Sequence, residues 1–291
     1  MSVKTGTAEN RFIHPVAPVT GMLAQAGAAS SVPPSERARE TRSLRRADAL
    51  VAAGQTEKAL AHLRRLTQTV PGATRASLKM ANLLKETKRV AEALSVLRCA
   101  AREAPANPAP CEALAELALE VGATGEAIAC AKQLLHLSPR SIAARDILSA
   151  AYLQSGLLPD ALRMAQELCR LDPDEPLHHF KRGVLLQQMG MVAGATEAYL
   201  RVLADCDDDD CDDDFLEETR DALELLDQYQ LRQIAILAVE DMMFRAHLQR
   251  DAFETVMAKG FRLSPAGLSA LARLAVSELP SPPAWRHRYY H

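Results

Sequence analysis

Small apolar residues return along the chain at a fixed interval of 34 residues: Ala59, Ala93, Ala127, Ala161 and Ala195. Four prolines, Pro71, Pro105, Pro139 and Pro173, keep the same interval, each twelve residues after one of the first four alanines. Gly54, Gly122, Gly156 and Gly190 precede an alanine of the series by five residues, with Lys88 in the one remaining place. Twelve residues after the fifth alanine stands Asp207 instead of proline, so the array ends near there. A period of this length is that of two helices and a turn, a unit that cannot bury its apolar face alone and therefore stacks. Each marker has a physical task in such a unit. Glycine ends the first helix in a left-handed conformation free of side-chain penalty. Alanine lies early in the second helix, where two backbones approach closely, and proline, lacking an N–H, closes that helix.

The pattern resembles the tetratricopeptide repeat family over five units, 40–73, 74–107, 108–141, 142–175 and 176–209. The fourth is the most typical, with Leu148, Ser149, Tyr152, Gly156, Ala161 and Pro173 where the family has leucine, a small residue, an aromatic, glycine, alanine and proline. The family tryptophan is missing from every unit, and large aromatic positions hold Leu63, Leu97, Ala131 and Ala165, so the packing is rich in leucine and alanine. The expected fold is all-α: a solenoid of about five helix-turn-helix repeats, wound as a right-handed superhelix, with a C-terminal helical module. The expected divisions are a disordered N-terminal segment (1–34), the solenoid (35–204), an acidic linker (205–214), the helical module (215–279) and a flexible tail (280–291). The charged stretch from Glu36 to Arg46 falls on a helix that shields the first repeat, as a terminal unit must.

The resemblance implies that the first helices line a concave wall used to hold a partner's peptide or helix. The inward residues would be Leu78, Asn82 and Lys85 in the second unit and Glu112, Glu116 and Leu119 in the third. Asp146, Ala150 and Leu153 follow in the fourth, and Phe180, Val184 and Gln187 in the fifth. Such a wall is polar and acidic in the middle and apolar toward its end, and suits an extended partner with basic residues and a hydrophobic anchor. One branch of the family clamps C-terminal carboxylates of chaperones with cations. Here Leu78, Glu112, Glu116 and Asp146 stand where cations are needed, which argues against that use.

The net charge of −3 conceals the eight aspartates between Asp205 and Asp214, without which the chain stands at about +5. Neither value suggests a nucleic-acid binder. The aspartate run includes Cys206 and Cys211 and reads as a solvated linker, with loose binding of a divalent ion or basic partner as the alternative. It lacks the central glycine of a calcium loop, and two cysteines without a second pair fall short of a zinc site. The six cysteines show no disulfide spacing. With no signal-type segment and no run of apolar residues long enough to span a bilayer, a cytoplasmic protein without membrane contact is expected. His178 and His179 are adjacent, point about 100° apart on a helix and do not share a ligand geometry, so a surface or capping role is expected.

Beyond the linker, Asp214 with Glu217 reads as a capping box for a helix over 215–229 with Leu216, Ala222, Leu223, Leu225 and Leu226 on its apolar positions. Helices over 231–249 and 251–259 follow, then a break at Gly260 and a last helix opened by Ser264 and Pro265. Residues 231–275, through Glu240, Asp241, Phe244, Arg245, Leu248, Gly260, Phe261, Leu263, Ser264, Gly267 and Leu268, look like the leader-peptide-type helical modules of ribosomally made, modified peptides. That likeness implies an alternative function, a recognition or carrier protein in peptide modification; a plain cap on the array is the simpler reading. The tail carries Trp285, Arg286, His287, Arg288, Tyr289 and Tyr290, aromatics among cations that could dock on the acidic run or on a partner, or stay idle. No nucleophile and base, metal set, phosphate loop or cofactor fingerprint is present. The expected function is a non-catalytic scaffold or adaptor that binds a protein or peptide partner, with no cofactor.

Overall fold

Helix punctuation sets the architecture. In the computed structural model, which describes residues 34–70, 72–206 and 212–274 with side chains from residue 38, fourteen helices and no strand are found among the described residues. The N-terminal segment, Pro71, the middle of the aspartate run with Cys211, and the tail beyond residue 274 lie outside them. The chain divides into two compact units, Met1–Leu137 and Ser138–His291.

The first unit holds α1 (Pro34–Ala52), α2 (Thr56–Thr69), α3 (Thr74–Glu86), α4 (Val90–Glu103), α5 (Pro108–Glu120) and α6 (Thr124–Leu137). Within the unit each helix packs on the next, from α1 on α2 through to α5 on α6. Gly54 and Gly122 take φ of 71° and 75° and end the first helices of their pairs. Lys88, in the glycine's place of the second repeat, is forced to the same left-handed backbone, φ 60°. Ala59, Ala93 and Ala127 have no exposed surface, and Leu63, Leu97 and Ala131 fill the positions where the family carries aromatics. Pro105 lies two residues beyond the end of α4. One capping contact has no local sequence signature. Ala73 cannot cap α3 with its side chain, and the buried Glu40 of α1 instead accepts from the backbone N–H of Ala76 at 3.3 Å. A carboxylate at a helix N-terminus satisfies an orphan donor and meets the positive end of the dipole.

The second unit begins with two more helix pairs: α7 (Ile142–Gln154), α8 (Leu158–Leu171), α9 (Pro176–Gln188) and α10 (Val192–Asp205). Ser141 caps α7, its hydroxyl accepting from Ala144 N–H at 3.1 Å, and Arg145 ties the same turn to the carbonyls of Pro139 and Ser141 and to Glu167. Ala161 and Ala195 are again without exposed surface. In the α9–α10 pair Gly183 leaves room for Tyr199: a Cβ at 183 would lie 2.6 Å from Tyr199 Cε1, closer than atoms pack. The Tyr199 hydroxyl donates to Gln187 Oε1 at 2.9 Å.

After the aspartate run, α11 (Asp213–Glu240), α12 (Met242–Arg250), α13 (Ala252–Ala258) and α14 (Pro265–Ala272) complete the unit. Two expectations are corrected here. The helix is capped by Asp212, whose carboxylate accepts from Asp214 N–H, and not by Asp214. The two helices expected over 215–229 and 231–249 are one helix through residue 240, because nothing around Tyr229–Leu231 interrupts the backbone ladder. The break falls at Asp241, in extended backbone, whose carboxylate accepts from Met243 and Phe244 N–H at 2.9 and 3.0 Å and so restarts the chain as α12. The last three helices close a second core of Ile234, Phe244, Leu248, Val256, Leu263 and Leu271. They are locked to α11 by two polar contacts. The buried Asp227 carboxylate accepts from both the N–H and the hydroxyl of Ser264, against Gly267, where a Cβ would collide with it. The Gln230 amide pairs with the N–H and C=O of Arg262 at 2.8 and 2.5 Å.

Among the described residues no helix is long and apolar enough to cross a membrane. Cys99, Cys111, Cys130 and Cys169 are free, but Cys206 is disulfide-bonded, contrary to the expectation that no cysteine would be.

A left-handed side-chain residue costs about 1–2 kcal/mol, and glycine gives back part of that gain through the freedom of the unfolded chain. Lys88→Gly is therefore expected to raise the unfolding free energy by about 0.5–1 kcal/mol in urea denaturation. No gain, or a loss, would show that the Lys88 side chain holds the turn through a contact that outweighs its backbone strain.

Candidate functional site: the first-helix faces

The first helices α3, α5, α7 and α9 carry all twelve side chains expected to face a partner, and none of the twelve is buried. In the first unit Asn82, Lys85 and Glu116 come together with Ala81, Leu97, Ala113 and Leu117 around a small cleft of about 50 Å³ between α3 and α5. Leu78, Glu112 and Leu119 are half-buried beside it on the same helices. Burial pushes the Glu112 carboxyl above its ordinary range, so the acidity of this face is carried chiefly by its more exposed carboxylates. Lys85 is paired with Glu120 at 2.5 Å, with both side chains half exposed. Such a surface pair is worth about 0–1 kcal/mol and is readily exchanged for a partner's charge.

In the second unit Asp146 of α7 is held by Lys181 of α9. Ala150, Leu153 and Val184 are half-buried, and Gln187 is exposed while accepting from Tyr199. The apolar end of the expected wall is shared with the chain itself. The Phe180 ring packs edge-on to Phe215 of α11 at 5.1 Å and tilted against Tyr199 at 5.6 Å. Phe215 was not among the expected site residues; only the three-dimensional path of α11 brings it here.

The histidine pair departs from expectation. His178 and His179 are buried, not on the surface. His179 Nε2 lies 2.9 Å from the Pro173 carbonyl, which ties the turn before α9, while the Nδ1 atoms of both rings and Arg182 Nε are buried without a partner. Burial first, and then Lys181, hold the His178 imidazolium below its ordinary pKa, against the opposing pull of Asp146, Glu175 and Asp172.

Lys181 was also missed, although a signal exists. Lys85–Glu120 and Asp146–Lys181 both join first helices across 35 residues, one period plus one. On the second helices Arg64–Glu92 and Arg98–Glu126 pair across 28. A larger cavity of about 440 Å³ in the first unit is lined by Arg98, Arg102, Pro105, Cys111, Leu114 and Cys130 among others. Its thiols are protonated: burial and the neighbouring Cys111 push Cys130 up to about 12. No group of three or more His, Cys, Asp or Glu able to hold a metal ion occurs among the described residues.

The residues behind the leader-like pattern have packing roles. Asp241 and Ser264 cap α12 and α14, Phe244, Leu248 and Leu263 form the second core, Gly260 is left-handed at φ 87°, and Gly267 fits against Asp227.

Paired helices in a fixed period, with small buried contacts inside each pair and mixed polar faces on the first helices, define a helical repeat protein. The chain belongs to the tetratricopeptide repeat family, whose sequence models match residues 50–117, 112–176 and 148–210, together more than half of its length. No curated protein matches it in sequence. Among solved structures it is similar to a MamA RS-1 double mutant, 18% identical with a TM-score of 0.53, over 62% of this chain and 100% of that one. It is likewise similar to MamA from residue 41 to its end of Desulfovibrio magneticus RS-1, 17% identical with a TM-score of 0.51, over 60% of this chain and 96% of that one. A further MamA crystal structure is 14% identical with a TM-score of 0.52, over 57% of this chain and 91% of that one. At these identities the likeness is one of fold.

Because the folded His178 pKa lies below its ordinary value of about 6.5, the unfolded chain binds more protons between the two. The stability linked to His178 is complete above that ordinary value and falls as pH drops toward the folded one. Denaturation midpoints measured from neutral pH down to about 5 should decline less steeply for His178→Leu than for the native chain. Equal slopes would show that His178 does not carry this dependence.

Proposed function

We propose that this tetratricopeptide repeat protein is a non-catalytic scaffold that holds partner protein segments, extended or helical, on the faces of its first helices, α3 and α5 in the first unit and α7 and α9 in the second. The observation that carries this reading is the composition of those faces. At regular intervals they present side chains that are neither buried nor uniformly charged, with a small cleft where Asn82, Lys85 and Glu116 converge. A partner with basic residues suits the carboxylates of α5. Its charges would compete for Glu120, now held by Lys85 in a half-exposed pair whose exchange costs little. A hydrophobic anchor suits the half-buried Leu153 and Val184. Binding of this kind requires register and complementary charge and no chemistry, in keeping with the family's use as protein- and peptide-binding modules.

Affinity purification from the native cells, with quantitative mass spectrometry, tests the reading. Asn82→Ala with Glu116→Lys, and separately Leu153→Glu with Val184→Glu, should each lower recovery of the principal partner at least about tenfold, the loss that 1.4 kcal/mol produces. Both variants should retain the native circular dichroism. A partner recovered equally by folded forms of both variants would show that these faces are not where it binds.

A further inference from the structure

The third repeat lacks the side chain that spans the same place in the fourth. There Arg145, in the first turn of α7, donates to the Pro139 carbonyl and to Glu167, each at 2.7 Å. One period earlier these positions hold Pro105, Cys111 and Gln133, so both members of the Arg145–Glu167 ion pair are replaced by uncharged side chains. A thiol is too short to reach across. The space left is the cavity of about 440 Å³ in the first unit, which Pro105, Cys111 and Gln133 line, and its volume falls within the range of small-molecule pockets.

The cavity is apolar at its floor and basic at its rim. Cys111 and Leu114 of α5 and Cys130 of α6 are buried there, and burial raises both thiols so that they stay protonated and neutral. At the rim Arg98 and Arg102 stand one turn apart on α4, where like charges repel. Only one of them is neutralised. Arg98 makes a two-pronged pair with Glu126, 2.7 Å at each contact. Arg102 donates from Nε to the Arg98 carbonyl at 3.1 Å and makes no ion pair among the described residues, while its neighbour Glu103 accepts from the Cys99 thiol. The rim therefore keeps one positive charge beside an uncharged floor, and the Gln133 amide adds a neutral donor from α6. One negative charge balances it, and a phosphate dianion exceeds it. We propose that this cavity binds a small free carboxylic acid as its anion, with the carboxylate on Arg102 and Gln133 and an aliphatic or aromatic body over Cys111, Leu114 and Cys130. Such a body brings no polar atom to the floor, whereas the end of a peptide brings an amide for which the floor has no partner. The cavity shares no residue with the partner faces proposed above.

Hydrocinnamate, hydrocinnamamide and N-acetylphenylalanine form a matched set of probes: one apolar body with a lone carboxylate, with no charge, and with a carboxylate beside an added amide. Titrated into the full chain, hydrocinnamate should shift the methyl resonances of Ala101 and Leu114, which line the cavity, and leave those of Ala150 and Val184 in the second unit in place. The uncharged amide should bind at least about tenfold more weakly, the loss expected for one charge-assisted pair, and N-acetylphenylalanine should also bind more weakly than hydrocinnamate. Arg102→Gln should weaken hydrocinnamate by a similar factor at unchanged circular dichroism, and Arg102→Lys should recover part of the loss. Ala101→Leu, which fills the cavity from a half-buried wall position, should abolish binding. No shift at Ala101 and Leu114 up to millimolar hydrocinnamate, or equal binding of the uncharged amide, would overturn the proposal. So would tighter binding of N-acetylphenylalanine, the mark of a pocket for peptide ends, or of inorganic phosphate.

Discussion

The close contact between the two helices of each repeat, made through an alanine without exposed surface, is the constraint on which the rest of the structure depends. Ala59, Ala93, Ala127, Ala161 and Ala195 meet it five times. Interiors are packed too densely to absorb added methylenes without strain, so this spacing is held by the absence of a side chain and not by any strong attraction. Within each unit the approach fixes the register of successive pairs. Side chains 35 residues apart then meet on the first helices and those 28 apart on the second, as in Lys85–Glu120 and Arg64–Glu92. These ion pairs are consequences of the packing and add little stability of their own.

The fold was readable where one residue type answers one backbone demand. Glycine at a left-handed turn, alanine at a close approach and proline past a helix end each leave a mark at fixed spacing, and even Lys88, which breaks the glycine series, keeps its geometry. Legibility failed where two residues distant in sequence share a task. Glu40 caps a helix that begins more than thirty residues later, and Phe215 reaches Phe180 only because α11 returns to the last repeat. The C-terminal helices were found but misdivided. Asp212, Asp214 and Asp241 are equally good caps by type, and the choice among them rests on which backbone is extended, which composition does not state.

The candidate site was legible in the same uneven way. The twelve first-helix side chains named from the family resemblance are unburied, whereas what they touch could not be read from it. Asp146 was read as acidic surface and is neutralised by Lys181, and Phe180 is partly closed over by the chain's own aromatics. His178 and His179 occupy interior positions because the first turn of α9 faces inward at both, a consequence of the packing of that turn that adjacency in the sequence conceals.

The central claim is that the partner lies on the first-helix faces and not on the second helices. Photo-crosslinking in the native cells addresses it most directly, with a benzophenone amino acid placed at Asn82 or Leu153 and, for comparison, at the exposed Arg65 and Lys132 of α2 and α6. The account predicts that a partner segment is captured from position 82 in the first unit and from position 153 in the second, and not from 65 and 132. Capture of the same segment from the second-helix positions alone would contradict it.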